Sequence, residues 1–419
     1  MPPIPRPSRG DPPGGPVVCP NEGELQEFLT RAVSQVVVRE DLERALRSGE
    51  RRLRIKQGFD PTTKNLHIGH AVGLRKLKKL AEWGHEIVLI IGDWTTQIGD
   101  PTDRDLTRPT KSRDEVLENA RTYLDQFHLI VPRENTRVVF QDEWYGKFGL
   151  RDVIELASRA TVQQMLAREE FRKRQAAGTA IPIKDILYPL LQAYDSVAIE
   201  ADVEVGGTDQ LFNILAGREM QEQVGQRPQS VFITHLLEGL DGEKMSKSKP
   251  ATGVWLTDPP NEMFGKTMSI ADALMPHWFE WGTEMPMAEV RDILDALARK
   301  ELHPREAKVR LATRIVSEFH SAAAAEEAAR AFARQFREKQ APEAIPDVRL
   351  SRDGEKTLPI VDLLVRAKLQ PSKNAARRLV EQRGVRVDDV VADLTTTVAT
   401  DTDPLIRYGP RSYARIRWI

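Results

Sequence analysis

Gly58-Phe59-Asp60-Pro61-Thr62 is followed closely by His67-Ile68-Gly69-His70. Imidazoles three residues apart share a helix face, and a helix N-terminus carries unpaired N–H groups and partial positive charge, so this segment suits a phosphate chain. Gly69 between them removes a side chain that would hold a flat base or a ribose away. In isolation, two histidines at this spacing are more often ordinary surface or core residues; their place just after a strand is what favours phosphate. A second segment, Lys244-Met245-Ser246-Lys247-Ser248, lies in a polar stretch flanked by Gly242 and Pro250. Two ammonium groups on flexible stems form a mobile clamp able to follow a departing pyrophosphate, although a single basic pentapeptide is usually only a solvated loop. Third, Tyr188, Gln192 and Asp195 fall at i, i+4 and i+7 of a helical stretch and present a hydroxyl, an amide and a carboxylate on one face. The plain alternative is the core side of an amphipathic helix.

The elements that must position these groups alternate. Leu53 to Phe59 reads as a buried strand feeding the Asp60-Pro61 turn, and apolar residues from Ile68 to Leu80 recur at helical spacing before Ile87-Val88-Leu89-Ile90-Ile91, a second strand. That βαβ unit implies a parallel sheet. Arg137 to Phe140, Ala201 to Val205 leading into Gly206-Gly207, and Gln229 to Leu236 supply further strands around a helical insertion at about residues 130–200, after one helix near Asn21 to Ser48. From Asn261 the pattern is helical to Arg337; the prolines and charges of 338–356 read as a linker, and 357–419 as a compact α/β piece with Ser372 as an N-cap.

The 419 residues carry 61 Lys plus Arg against 62 Asp plus Glu, which excludes a uniformly basic nucleic-acid coat and leaves room only for local patches. One lies in the last piece: residues 351–419 hold 13 Lys/Arg and 9 Asp/Glu. There Lys373, Arg377 and Arg378 can project from a helix whose Ala376, Leu379 and Val380 face a core, an arrangement suited to an RNA backbone. The single cysteine, Cys19, cannot close a disulfide within its chain, and no Cys/His cluster has zinc spacing, so a cytoplasmic protein without a structural metal is expected. No apolar run is long enough for a membrane span. Residues 1–20, with eight prolines and three glycines, read as a disordered tail.

His67-Ile68-Gly69-His70 and Lys244-Met245-Ser246-Lys247-Ser248, in this order and bracketing a βα nucleotide fold, resemble the two signature motifs of class I aminoacyl-tRNA synthetases. Ile98-Gly99-Asp100-Pro101-Thr102, Tyr188-Pro189 with Gln192 and Asp195, and Gly206-Gly207-Thr208-Asp209-Gln210 with Asn213 resemble the tyrosyl-tRNA synthetase family in particular. The resemblance implies a Rossmann-like nucleotide-binding parallel sheet with a helical insertion (residues 21–260), an α-helical anticodon-recognition domain (261–337) and a small C-terminal S4-like RNA-binding α/β domain (357–419).

It implies that tyrosine is activated with ATP and passed to the 3′ end of tRNA(Tyr), with Mg²⁺ accompanying ATP and no dedicated carboxylate cage for it. Thr62, His67, His70, Lys244 and Lys247 would act on the phosphates, and Gly69, Gly207, Asp209, Lys247 and Ser248 would hold ATP. Asp60, Asp100, Tyr188, Gln192, Asp195 and Gln210 would surround tyrosine, with Tyr188 and Gln192 on its ammonium and Asp195 accepting from its phenol. Leaving such a buried acceptor unpaired would exclude phenylalanine, an effect of which tyrosyl-tRNA synthetases are a known example. Thr161 to Leu166, in the insertion, resembles the family's dimer-forming segment, so a homodimer is implied. Lys56 and Thr96 depart from the commoner pattern, standing where many relatives have tyrosine and glycine. A tryptophanyl synthetase or a noncatalytic RNA-binding relative are the competing readings; the first lacks an S4-type tail, and the second should have eroded its phosphate residues.

Overall fold

The computed structural model describes residues 16–100, 112–245, 250–337, 345–352, 354–409 and 412–419. Lys247, Ser248 and the Pro101-Thr102 end of the Asp100 segment lie outside the described residues. The chain divides into two compact units, residues 1–325 and 326–419.

The first unit is built on a six-stranded sheet, β1 (Val33–Val37), β2 (Arg54–Phe59), β3 (Glu86–Ile91), β4 (Thr136–Phe140), β5 (Val203–Gly207) and β6 (Ser230–Thr234), in the order β1-β6-β5-β2-β3-β4. All neighbours pair in parallel except β1, which lies antiparallel on β6. The single helix expected over Asn21 to Ser48 is therefore α1 (Glu22–Thr30), the edge strand β1, and α2 (Arg39–Ser48). β3 reads Glu-Ile-Val-Leu-Ile-Ile and is buried throughout, as a parallel strand covered on both faces requires. The crossover α3 (Ile68–Glu82) turns Ile68, Val72, Leu74, Leu77 and Leu80 into the core.

From β2 the chain passes to β3 and β4 on one side, by way of α4 (Thr95–Ile98) and α5 (Arg113–Phe127); it later returns to β5 and β6 on the other. The strand order thus reverses between β2 and β5, and the carboxyl ends of strands at such a switch point leave a crevice for a ligand. The insertion begins after β4, not before it: α6 (Asp142–Tyr145), α7 (Leu150–Ala157), α8 (Val162–Leu166), α9 (Glu169–Ala176) and α10 (Ile183–Ile199) precede β5, and α11 (Leu211–Gln223) joins β5 to β6. Helices α12 (Pro260–Met268), α13 (Met275–Glu280), α14 (Met287–Ala298) and α15 (Pro304–Phe319) follow, and α16 (Ala322–Arg337) runs across the boundary between the units. The proline-rich tail is packed over its described end: the Val18 N–H donates to the Trp83 carbonyl at 2.9 Å and Pro20 is buried. A backbone partner and a ring that can be covered replace the disorder expected for residues 16–20.

The second unit holds α17 (Ile360–Arg366), α18 (Lys373–Glu381) and the strands β7 (Asp347–Leu350), β8 (Thr357–Pro359), β9 (Val385–Val387), β10 (Val390–Val391), β11 (Thr397–Ala399), β12 (Leu405–Tyr408) and β13 (Tyr413–Trp418). The expected linker 338–356 is corrected here, because β7 pairs in parallel with the terminal β13 and Leu350 enters this unit's core. Ser372 caps α18 as expected, accepting from the Ala375 N–H at 3.2 Å. Ala376 and Val380 are buried, whereas Lys373, Arg377 and Arg378 are exposed; Lys373 Nζ is 2.6 Å from Asp362 Oδ1.

Candidate active site at the carboxyl ends of β2 and β5

A cavity of about 270 Å³ opens at the switch point. Thr62, His67, Gly69 and His70 line it from the β2–α3 side, Tyr188, Gln192 and Asp195 from α10, Gly207, Asp209 and Gln210 from the end of β5, and Lys244 from the loop after β6. Asp60 and Asp100 also line it. Every described residue expected for the phosphates and the amino acid is therefore brought to one cavity. The Lys373, Arg377 and Arg378 set belongs to the second unit.

Chain connectivity explains the meeting of the histidines and the lysine. Glu238 and Lys244 form an isolated antiparallel bridge, and His67 forms another with Trp255. The Ile68 N–H donates to the Val254 carbonyl, and the Leu256 N–H to the Leu66 carbonyl, both at 2.9 Å. The lysine loop thus leaves beside the cavity and its far end is stitched to the start of α3. Lys244 Nζ crosses to Asp209 Oδ2 at 2.6 Å and remains half exposed, so it can exchange this carboxylate for a phosphate. The His67 and His70 rings lie 3.8 Å apart. His70 Nδ1 is 3.1 Å from the His67 backbone nitrogen and 3.3 Å from the His67 carbonyl oxygen. The shorter contact makes Nδ1 an acceptor, which leaves the neutral ring's proton on Nε2. A Cβ on Gly69 would lie 2.9 Å from His67 Nδ1, so the glycine also makes room for that ring.

On the α10 side of the cavity, Tyr188 donates to Asp60 Oδ2 at 2.7 Å, which leaves its oxygen lone pairs for a cationic donor. Burial, helped by the charges of Asp60 and Asp100, holds the Tyr188 hydroxyl well above the usual phenol range, so it stays protonated. Thr95 fixes the other Asp60 oxygen at 2.7 Å. Gln210 Nε2 donates to Asp100 Oδ2 at 2.8 Å and its carbonyl oxygen accepts from Asn213 at 3.0 Å, so the amide is oriented and its second Nε2 hydrogen is left for a substrate oxygen.

Asp195 is 3 % exposed and receives Gln141 Nε2 on one oxygen at 2.8 Å and Trp144 Nε1 on the other at 3.1 Å. Burial pushes its carboxyl up to about 7, with the Glu204 charge adding to the rise, against the lowering effects of the Lys56 charge and the Gln141 and Tyr145 hydrogen bonds. Gln141, Trp144 and Tyr145 were not singled out from the sequence, yet their position at the end of β4 was a usable signal, since parallel strands deliver residues to a site at that end. Thr96 is buried but does not line the cavity. Lys56 is fully buried beneath it, paired with Glu204 at 3.0 Å. Among the described residues no group of three or more His, Cys, Asp and Glu side chains could hold a metal ion, and no helix is long and apolar enough to cross a membrane.

Residues 47–337 match the family described as tRNA synthetases class I (W and Y), and residues 358–401 match the S4 domain. Tyrosine--tRNA ligases are similar over nearly the full length: that of Dehalococcoides mccartyi strain 195 is 46 % identical over 94 % of this chain and 98 % of its own. That of Thermotoga maritima is 43 % identical over 94 % and 97 %. Among solved structures, the tyrosyl-tRNA synthetase of Archaeoglobus fulgidus complexed with L-tyrosine covers 73 % of this chain and 99 % of its own at 21 % identity with a TM-score of 0.59. The C-terminally truncated Aspergillus nidulans mitochondrial tyrosyl-tRNA synthetase covers 74 % and 94 % at 21 % identity with a TM-score of 0.61. At these identities the solved structures speak for the fold.

Proposed function

The chain belongs to the class I tRNA synthetases of the tryptophan and tyrosine group, and from that premise we infer that its reaction, joining tyrosine to tRNA(Tyr) at the expense of ATP, runs in the cavity at the β2/β5 switch point. One observation carries this reading: phosphate-binding groups stand together with a hydroxyl, an amide and a buried carboxylate around a single cavity.

Tyrosine enters with its ammonium at Tyr188, Gln192 and Asp100 and its phenol at Asp195. Its carboxylate, already ionised at neutral pH, attacks the α-phosphorus of ATP; the bond to the bridging oxygen breaks, and pyrophosphate leaves with the electron pair. A general base would add little, so rate comes from alignment and from charge stabilisation at the phosphates. Thr62, His67 and His70 donate to the departing phosphates, and Lys244 and Lys247 close over them. Gly69 and Ser248 border the nucleotide, while Gly207 and Asp209 receive the ribose. The terminal tRNA ribose then takes the aminoacyl group and releases AMP. Mg²⁺ enters as the counter-ion of ATP. Lys373, Arg377 and Arg378, exposed along α18, meet the tRNA backbone.

We further propose a homodimer in the cytoplasm. Leu150, Ile154, Val162 and Ile183, all in the inserted helices, are 76, 61, 58 and 72 % exposed, and apolar side chains so exposed are better placed in an interface. Amino-acid-dependent exchange of pyrophosphate into ATP tests the assignment. Exchange with tyrosine, but not with tryptophan or without amino acid, is expected; exchange driven by tryptophan would overturn it.

A further inference from the structure

Lys56 and Glu204 form a charged pair at the floor of the cavity, 0 % and 2 % exposed, with Glu204 lining it and Lys56 behind. Every polar atom is matched. Lys56 Nζ reaches Glu204 Oε1 at 3.0 Å, the Gln192 carbonyl at 2.8 Å and Ser196 Oγ at 2.8 Å, which uses its three hydrogens. Glu204 Oε1 also accepts from Gln192 Nε2 at 3.3 Å, and Oε2 accepts from Ser196 Oγ at 3.1 Å and Gln229 Nε2 at 2.6 Å. Burying two charges costs more than burying apolar side chains of the same volume, so stability alone does not account for such a pair.

Its geometry does suggest a role. Glu204 can only accept, so the Gln192 atom facing it must be the amide nitrogen, and the Gln192 carbonyl oxygen is turned away from Glu204. A substrate ammonium needs an acceptor; the opposite amide orientation would offer it a donor. Lys56 holds the other half of the arrangement, neutralising Glu204 and gripping the backbone of the same residue.

We propose that Lys56 and Glu204 are positioning residues that lock the Gln192 carboxamide with its oxygen toward the ammonium of the amino-acid substrate. This rests on the reading of Gln192 as an ammonium ligand given above. In the full-length protein, the test compares dissociation constants for tyrosine and for 3-(4-hydroxyphenyl)propanoate, which lacks the ammonium, in the charge-neutral double variant K56M/E204Q, in Gln192→Ala and in the triple combination. The expected result is ~10-fold weaker tyrosine binding in K56M/E204Q, little change for the propanoate, and no further loss when the pair is replaced in the Gln192→Ala background, since coupled residues are non-additive. Unaltered tyrosine binding by Gln192→Ala would overturn the ammonium reading and the proposal with it. Weakened binding in Gln192→Ala beside unaltered binding in K56M/E204Q would overturn the proposal alone, as would equal losses for both ligands. Should K56M/E204Q not fold, Glu204→Asp keeps the countercharge but withdraws it from Gln192; the same selective loss is expected, and unchanged tyrosine binding in that variant would overturn the proposal.

Discussion

Asp195 shows how burial sets the chemistry of one residue. The Tyr145 hydroxyl has a single hydrogen and stands 2.5 Å from the Leu191 carbonyl but 3.2 Å from Asp195 Oδ1. The hydrogen is therefore shared unequally in favour of Leu191, and Asp195 draws only a weak contact from this neighbour. This fits a carboxyl raised from 3.8 to about 7, with burial the largest cause. Because the phenol needs an ionised acceptor, tyrosine affinity should fall about tenfold as pH drops from 8 to 6, and calorimetric titration across that range checks it. Asp195→Asn should flatten the profile and narrow the preference for tyrosine over phenylalanine. For folding the sign is opposite: a raised carboxyl pKa contributes stability that is full below 3.8 and lost as pH rises through about 7.

Among the elements, the turn between β5 and α11 is the tightest constraint on the nucleotide side. A Cβ on Gly207 would come within 2.7 Å of Asp209 Oδ1 and 2.6 Å of Leu236 Cδ2. Gly207→Ala should therefore push Asp209 aside and raise the KM for ATP ~10-fold while tyrosine binding stays unchanged, as steady-state exchange kinetics beside equilibrium binding would show. The strands β2 to β6 could be read from the sequence as short β-rich runs bounded by turn residues, helices α3 and α10 from their apolar spacing, and the face shared by Tyr188, Gln192 and Asp195 followed from helical spacing alone. What could not be read depends on distant pairing. β1 is a strand because β6 lies beside it, and β7 because β13 does. The Lys56–Glu204 pair likewise joins two strands that the sequence keeps far apart.

Across the whole molecule, each unit has its own core, and the second is built around Ile360, Leu363, Ala376, Val380, Ile406 and Ile416. Because β7 belongs to that core, a cut at residue 350 would strand it; ending the chain after Arg337 keeps α16 whole and removes every strand and helix that builds that core. The shortened protein should keep tyrosine-dependent pyrophosphate exchange but lose most tRNA charging, and undiminished charging would contradict an RNA-binding role for α18. In sedimentation analysis Ile154→Glu should shift the intact protein from dimer to monomer, since a charge replaces an apolar side chain in the expected interface.

The central claim is that the histidines at the start of α3 and the lysine loop after β6 act on one triphosphate. The most direct measurement is the single-turnover rate of tyrosyl-adenylate formation by His70→Ala at saturating tyrosine. The account predicts a fall of ~100-fold with the tyrosine dissociation constant unchanged, because the contact strengthens only as pyrophosphate departs. A rate close to that of the unmodified protein, or a loss matched by equally weakened tyrosine binding, would contradict it.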